Sequence, residues 1–284
     1  MGQRPWDRAH LGGVVLEYET RGAGEPVVLV HAGICADWFK PLLEEPALAG
    51  RYRLLSYHRV GYAGSSRVAG PVSIAQQAAH CRSVMRHVGI GRAHVVGHSS
   101  GGMIALQLAL DAPEAVHTLA LLESARPAMP GGPEAEFVAA VAGPALELYG
   151  RGDKAGAVDV WMRGVCGPAY RAVVERALPG GAFDQAVADA DTFFGQELPA
   201  VRQWSFTRED AGRVTQPALA VLGAKTREVA PVFVGRQELL LDWLPQAEAF
   251  VLPEATHLLH LQNPRGMAEG LAAFFARHPL PESQ

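Results

Sequence analysis

The sequence predicts an α/β chain, with a mostly parallel central sheet flanked by helices and a helical segment inserted between two core strands. Three observations carry this expectation. Short apolar runs such as Val27–Val30, Val95–Val96 and Leu119–Leu122 alternate with longer stretches of helical spacing, the pattern of stacked strand–helix units. At residues 97–101 a Gly-His-Ser-Ser-Gly turn joins one of these strands directly to an apolar helix. Between about residues 124 and 216 the strand signals stop while helical ones continue.

Taken in order, Val14–Thr20 alternates like an edge strand and ends in the turn Arg-Gly-Ala-Gly-Glu-Pro. Val27–Val30 reads as a buried strand, Trp38–Leu48 as a helix, and Tyr52–Tyr57 as the next strand. Ser73 is placed to cap a helix running to Val88. Val95–Val96 begins the strand that enters the glycine-flanked turn, and Met103–Leu110 is the helix that leaves it, stopped at Asp111-Ala-Pro113. Thr118–Leu122 is another buried strand, and it runs straight into a carboxylate, Glu123. Helical segments are expected near 134–149, 154–164, 168–178 and 184–194, separated by glycine and proline. Ala218–Leu222 and Phe250–Leu252 complete the strands, and Gly266–Arg277 is a closing helix. The expected organisation is a core of 1–123 and 217–284, with 124–216 as a helical cap.

Composition narrows the function. The chain has 284 residues, 49% hydrophobic and 19% charged, a formal net charge of −4 and a pI near 6.3, with no basic run of the kind that binds nucleic acid or a membrane surface. Cys35, Cys81 and Cys166 are odd in number and widely spaced, which fits neither a disulfide framework nor a zinc site. No apolar region follows the N-terminal charges as in a signal peptide, and no stretch approaches the ~18 apolar residues of a membrane span. A soluble cytoplasmic protein is expected. There is no H-E-x-x-H, no C-x-x-C, no Walker lysine, and Gly22-Ala-Gly24 lacks the third glycine and following helix of a dinucleotide site. No cofactor or metal is expected.

The turn at 97–101 fits G-x-S-x-G. A serine at the apex of a sharp strand-to-helix turn stands clear of the sheet, and the helix N-terminus behind it offers free N–H groups and partial positive charge to a developing oxyanion. Ser99 is therefore the candidate nucleophile. A serine hydroxyl needs a base, and among eleven histidines His257 lies latest in the right context, in a turn between the Phe250–Leu252 strand and the final helix. His260 is the nearby competitor, and His98, inside the turn, is read as packing or lining a pocket. Cys35 is read as a packing thiol. Trp161, Phe193, Phe194 and Trp204 fit either a pocket wall or ordinary packing.

These motifs resemble the α/β-hydrolase family. Besides the serine turn, His31-Ala32-Gly33 is similar to its oxyanion loop, Arg59-Val-Gly61-Tyr-Ala-Gly64-Ser-Ser66 to the loop after the next strand, and Pro253-Glu-Ala-Thr-His257 to its histidine turn. The likeness runs from about residue 13 to 278 and is weakest in the cap. It implies an oxyanion hole from the N–H groups of Gly33 and Ser100. It also implies an aspartate three residues past Gly223, where this chain has Thr226, which cannot ionise. Either the triad is broken, or its acid is one of two other carboxylates. Glu123 ends the strand after the nucleophile helix, at the position used by zearalenone-type lactone hydrolases and some related enzymes. Glu228 lies two residues past the usual site.

The function so implied is cofactor-free hydrolysis of a carboxylic ester or lactone of a small, fairly hydrophobic substrate. Catalysis would rest on Ser99, His257 and Glu123, with Gly33 and Ser100 as the oxyanion hole. The alternatives on this scaffold are a cofactor-free dioxygenase, a carbon–carbon bond hydrolase, or a slow-turnover receptor. A dehalogenase is disfavoured, since its nucleophile is an aspartate.

Overall fold

The apolar runs split by alternation, as strands covered on both faces must. In the strand Glu25–Val30 (β3), Val28 and Val30 join a cluster with Ile74, Met85, Met103 and Leu106, whereas Val27 and Leu29 join a second with Leu42, Leu271, Phe274 and Phe275. Helices 74–87 and 100–111 therefore cover one face of the sheet and helix 264–277 the other. These positions come from a computed structural model, which describes residues 6–128 and 131–281.

With β1 (Asp7–Leu11), β2 (Val14–Arg21), β4 (Tyr52–Tyr57), β5 (Ala93–His98), β6 (Val116–Leu122), β7 (Ala218–Gly223) and β8 (Ala247–Leu252), the eight strands lie in the order β1-β2-β4-β3-β5-β6-β7-β8. The first two pairings, β1 with β2 and β2 with β4, are antiparallel, and all the others are parallel. The C-terminal ends of β3, β5, β6 and β7 consequently open onto one edge, where loops gather ligands in such sheets.

Two local expectations are corrected. Val14–Thr20 is not the edge: the Gly12-Gly13 turn folds Asp7–Leu11 back beside it as β1. The expected helix Trp38–Leu48 is two single turns, Lys40–Leu43 and Pro46–Ala49, because Pro46 lacks the N–H that would continue the first. The helix capped by Ser73 is present from Ile74 to His87, with Ser73 and Gln76 bonding each other's backbone N–H.

Among the described residues between β6 and β7 the regular elements are all helices, joined by short turns, and they include two that the sequence reading did not place, 198–203 and 208–213. Two π-helical turns, Val138–Ala142 and Asp191–Glu197, interrupt the series. This segment has its own apolar cluster (Ala157, Met162, Val165, Tyr170, Phe193, Phe194), which closes onto Ile34, Trp38 and Leu258 of the sheet-bearing part.

Candidate active site

Ser99 sits where β5 turns into helix 100–111, with φ 53° and ψ −116°, a conformation L-residues rarely adopt. The turn is too tight for side chains on its flanks. A Cβ on Gly97 would lie 2.3 Å from the Gly101 carbonyl oxygen, and one on Gly101 would lie 2.1 Å from that of Val30. The Ser99 N–H donates to the Leu122 carbonyl (2.9 Å), and the Ser99 carbonyl accepts from the Ala125 N–H (3.0 Å). The turn is thus tied to the end of β6, where Glu123 begins.

Glu123 is itself held at positive φ, 40°, and its side chain is buried. One carboxylate oxygen, Oε1, accepts from the Gly223 N–H (2.7 Å) and the Thr226 hydroxyl (2.5 Å). The other, Oε2, lies 2.6 Å from Nδ1 of His257. A carboxylate oxygen accepts, so Nδ1 carries the proton and Nε2 keeps its lone pair free. The His257 ring stacks on Phe233, centroids 4.0 Å apart and 15° from parallel, which fixes the second rotational freedom. Glu228 lies exposed in the short helix Thr226–Val229 and makes no hydrogen bond to His257.

Gly33 follows β3. Its carbonyl accepts from the Trp38 indole N–H (2.8 Å) and the Cys35 N–H (2.9 Å), which holds the peptide, while its own N–H meets no acceptor among the described residues. His31 braces the loop: Nε2 accepts from the Arg59 N–H (3.0 Å), so Nδ1 must be the donor to the Ala32 carbonyl (2.6 Å). Burial, reinforced by the Arg59 charge, keeps His31 neutral by pushing its pKa well below the ordinary value. Ser100 is the first residue of its helix, so its N–H has no intrahelical acceptor.

Ser99, Ser100, Gly33 and His257 all line one cavity of about 1010 Å³. Its walls are mainly apolar, with Phe137, Trp161, Phe193 and Phe194 from the inserted helices and Phe233 and Trp38 from elsewhere. Trp204 is not among them: its indole donates to Gln107 (2.6 Å). His98 and His260 are fully buried behind His257, and burial drives His260 down to about 3. Cys35 is buried as well, its thiol pushed up to about 12 by desolvation, which suits packing.

The family described as "alpha/beta hydrolase fold" matches residues 25–148. The solved structure titled "Est816 as an N-Acyl homoserine lactone degrading enzyme" superposes with a TM-score of 0.72 at 24% identity, over 94% of this chain and 100% of that one. The chain has the α/β-hydrolase fold. A relative from Azorhizobium caulinodans named "Putative carbamate hydrolase RutD" is 40% identical over 115 residues, 40% of this chain and 43% of its own. The alignment therefore spans less than half the length of that relative. A second, from Pseudomonas putida, is named the dihydrolipoyllysine-residue acetyltransferase component of an acetoin cleaving system. It is 29% identical over 95% of this chain and 69% of its own.

Several groups at the site escaped the sequence reading. Thr226 was noted there only as a missing aspartate, yet its hydroxyl holds Glu123. Phe233 sits inside an unremarkable helix. Arg59 is buried and bonds Glu197 (3.0 Å), Gln77 (2.9 Å) and the Ser100 hydroxyl (3.4 Å), and the Tyr62 hydroxyl also donates to Glu197. Glu197 ends the second π-helical turn, the kind of irregularity that often accompanies a functional position.

Proposed function

We propose that the protein is a cofactor-free serine hydrolase that cleaves a carboxylic ester or lactone of a small, fairly hydrophobic substrate. Ser99 attacks the carbonyl carbon while Nε2 of His257 takes the hydroxyl proton. The carbonyl π electrons move onto oxygen, which the N–H groups of Gly33 and Ser100 stabilise. Collapse breaks the C–O bond, and His257 returns the proton to the leaving alkoxide. Water, deprotonated by His257, then attacks the acyl carbon, the bond to Ser99 Oγ breaks, and His257 returns the proton to that oxygen. Glu123 orients the imidazole and offsets the positive charge it gains. The helices between β6 and β7 act as a cap that keeps bulk water from the acyl-enzyme.

The observation that carries this reading is the buried 2.6 Å contact between Glu123 and His257, beside the cavity that Ser99 lines. A water-shielded carboxylate paired with an imidazole supplies a base of fixed tautomer. The named lactone-degrading activity of Est816, which shares the fold, agrees with this class of reaction.

Turnover of an activated ester by Ser99→Ala, Glu123→Gln and Glu228→Gln, each checked for folding, tests it. Severe loss in the first two and little in the third is expected. Retained turnover in Glu123→Gln with loss in Glu228→Gln would overturn the acid assignment. Labelling of Ser99 by a fluorophosphonate without steady turnover of any ester or lactone would turn the reading toward a receptor.

A further inference from the structure

The cavity walls carry charge that the proposed hydrolytic chemistry does not use. Five charged side chains line them: Arg126, Glu134, Glu197, Arg202 and Arg236. Glu197 is taken up by Arg59 and Tyr62, neither of which lines the cavity. Glu134 is taken up by Arg236, which donates from Nη2 (2.8 Å) and Nε (3.2 Å) and leaves Nη1 unused. Arg202 is exposed. Arg126 differs from the rest: its guanidinium makes no hydrogen bond or ion pair among the described residues, and its Nε is buried with no partner.

A buried, unpaired guanidinium N–H is costly, and native structures rarely keep one without a reason. Arg126 follows Ala125, whose N–H is bonded to the Ser99 carbonyl, so it stands in chain next to the nucleophile turn. It is also near Arg236: burial chiefly, and the Arg126 charge in addition, hold the Arg236 pKa below the usual value although Glu134 opposes both. Arg126 and Arg236 line one cavity, and Glu134 is the only carboxylate bonded to either of them among the described residues, which leaves a local positive surplus in a protein whose net charge is −4. An arginine fork matches a carboxylate in shape as well as charge.

We infer that Arg126, assisted by Arg236, is a recognition site for a carboxylate on the substrate, so that the preferred ester or lactone carries a free carboxylate away from the scissile carbonyl. This rests on the hydrolase reading for the bond that is cleaved, but the anion site is testable without turnover.

Two measurements decide it. The first is the ratio of kcat/KM for mono-(4-nitrophenyl) glutarate to that for the same compound methylated on its free carboxylate. Wild type is expected to favour the anionic ester, Arg126→Gln to lower the ratio at least tenfold, and Arg126→Lys to keep part of it. A smaller fall in Arg126→Gln overturns the assignment, as does equal loss on both esters, which marks Arg126 as structural. The second is calorimetric binding of glutarate against neutral glutaramide. Wild type is expected to bind glutarate at least tenfold more tightly. Equal binding overturns the site even where Arg126→Gln fails to fold. Should no ester be turned over while glutarate is still preferred, the hydrolase reading falls and the anion site stands.

Discussion

Thr226→Val isolates the group that stands where the acid was expected. Valine matches threonine in shape, so the change removes one hydroxyl and little else. Thr226 is fully buried, and its O–H donates to Glu123 Oε1 at 2.5 Å, leaving the Gly223 N–H (2.7 Å) as the only other donor to that oxygen among the described residues. A hydrogen bond to a buried charged group contributes about 1.5–3 kcal/mol. Stability should therefore fall by about 2 kcal/mol, a few degrees in Tm for a chain of this size. If about 70% of that energy holds the carboxylate against His257, kcat drops about tenfold, which is ~1.4 kcal/mol, with KM little changed. Thermal unfolding and steady-state kinetics on an activated ester check both. Wild-type Tm together with wild-type kcat would refute the idea that this hydroxyl sets the carboxylate.

Two further outcomes are expected. Replacing either Arg59 or Glu197 by Met leaves the other charge buried and unpaired, at a cost of about 3–5 kcal/mol. The double variant should lose less than the sum of the two, and additivity in chemical denaturation would sink the pairing. Stability should also fall as pH drops from 7 to 5. Burial lowers His260 to about 3, aided by the His257 charge, and burial lowers His94 to about 4 against the opposing Glu25. Below the unfolded value near 6.5 the unfolded chain binds protons that the folded chain refuses, so each imidazole withdraws about 2 kcal/mol over that interval. His260→Phe, which keeps the stack on Phe39, should flatten the slope, and an unchanged slope would refute this account.

Sequence alone determined the local architecture. The sharp turn at Ser99 is legible because only glycine tolerates the carbonyls that press on positions 97 and 101. The central strands are legible because they are short apolar runs bounded by turn residues, and the Ser73 cap because its hydroxyl acts on neighbours three residues away. All of these are local. What lay beyond reach was every pairing made across distance. Glu123 and Glu228 were both open readings of the acid, since spacing does not reveal that residue 123 and residue 257 end side by side while residue 228 faces water. The edge strand was missed because Asp7–Leu11 is polar on its outer side, and only its partner β2 makes it a strand. Arg59 with Glu197, and Arg126 with Arg236, come from segments far apart in the chain, and their burial exists only once the inserted helices close over the sheet. Local backbone preference can be read one window at a time, whereas the energy of a buried charge depends on which groups the finished fold places against it.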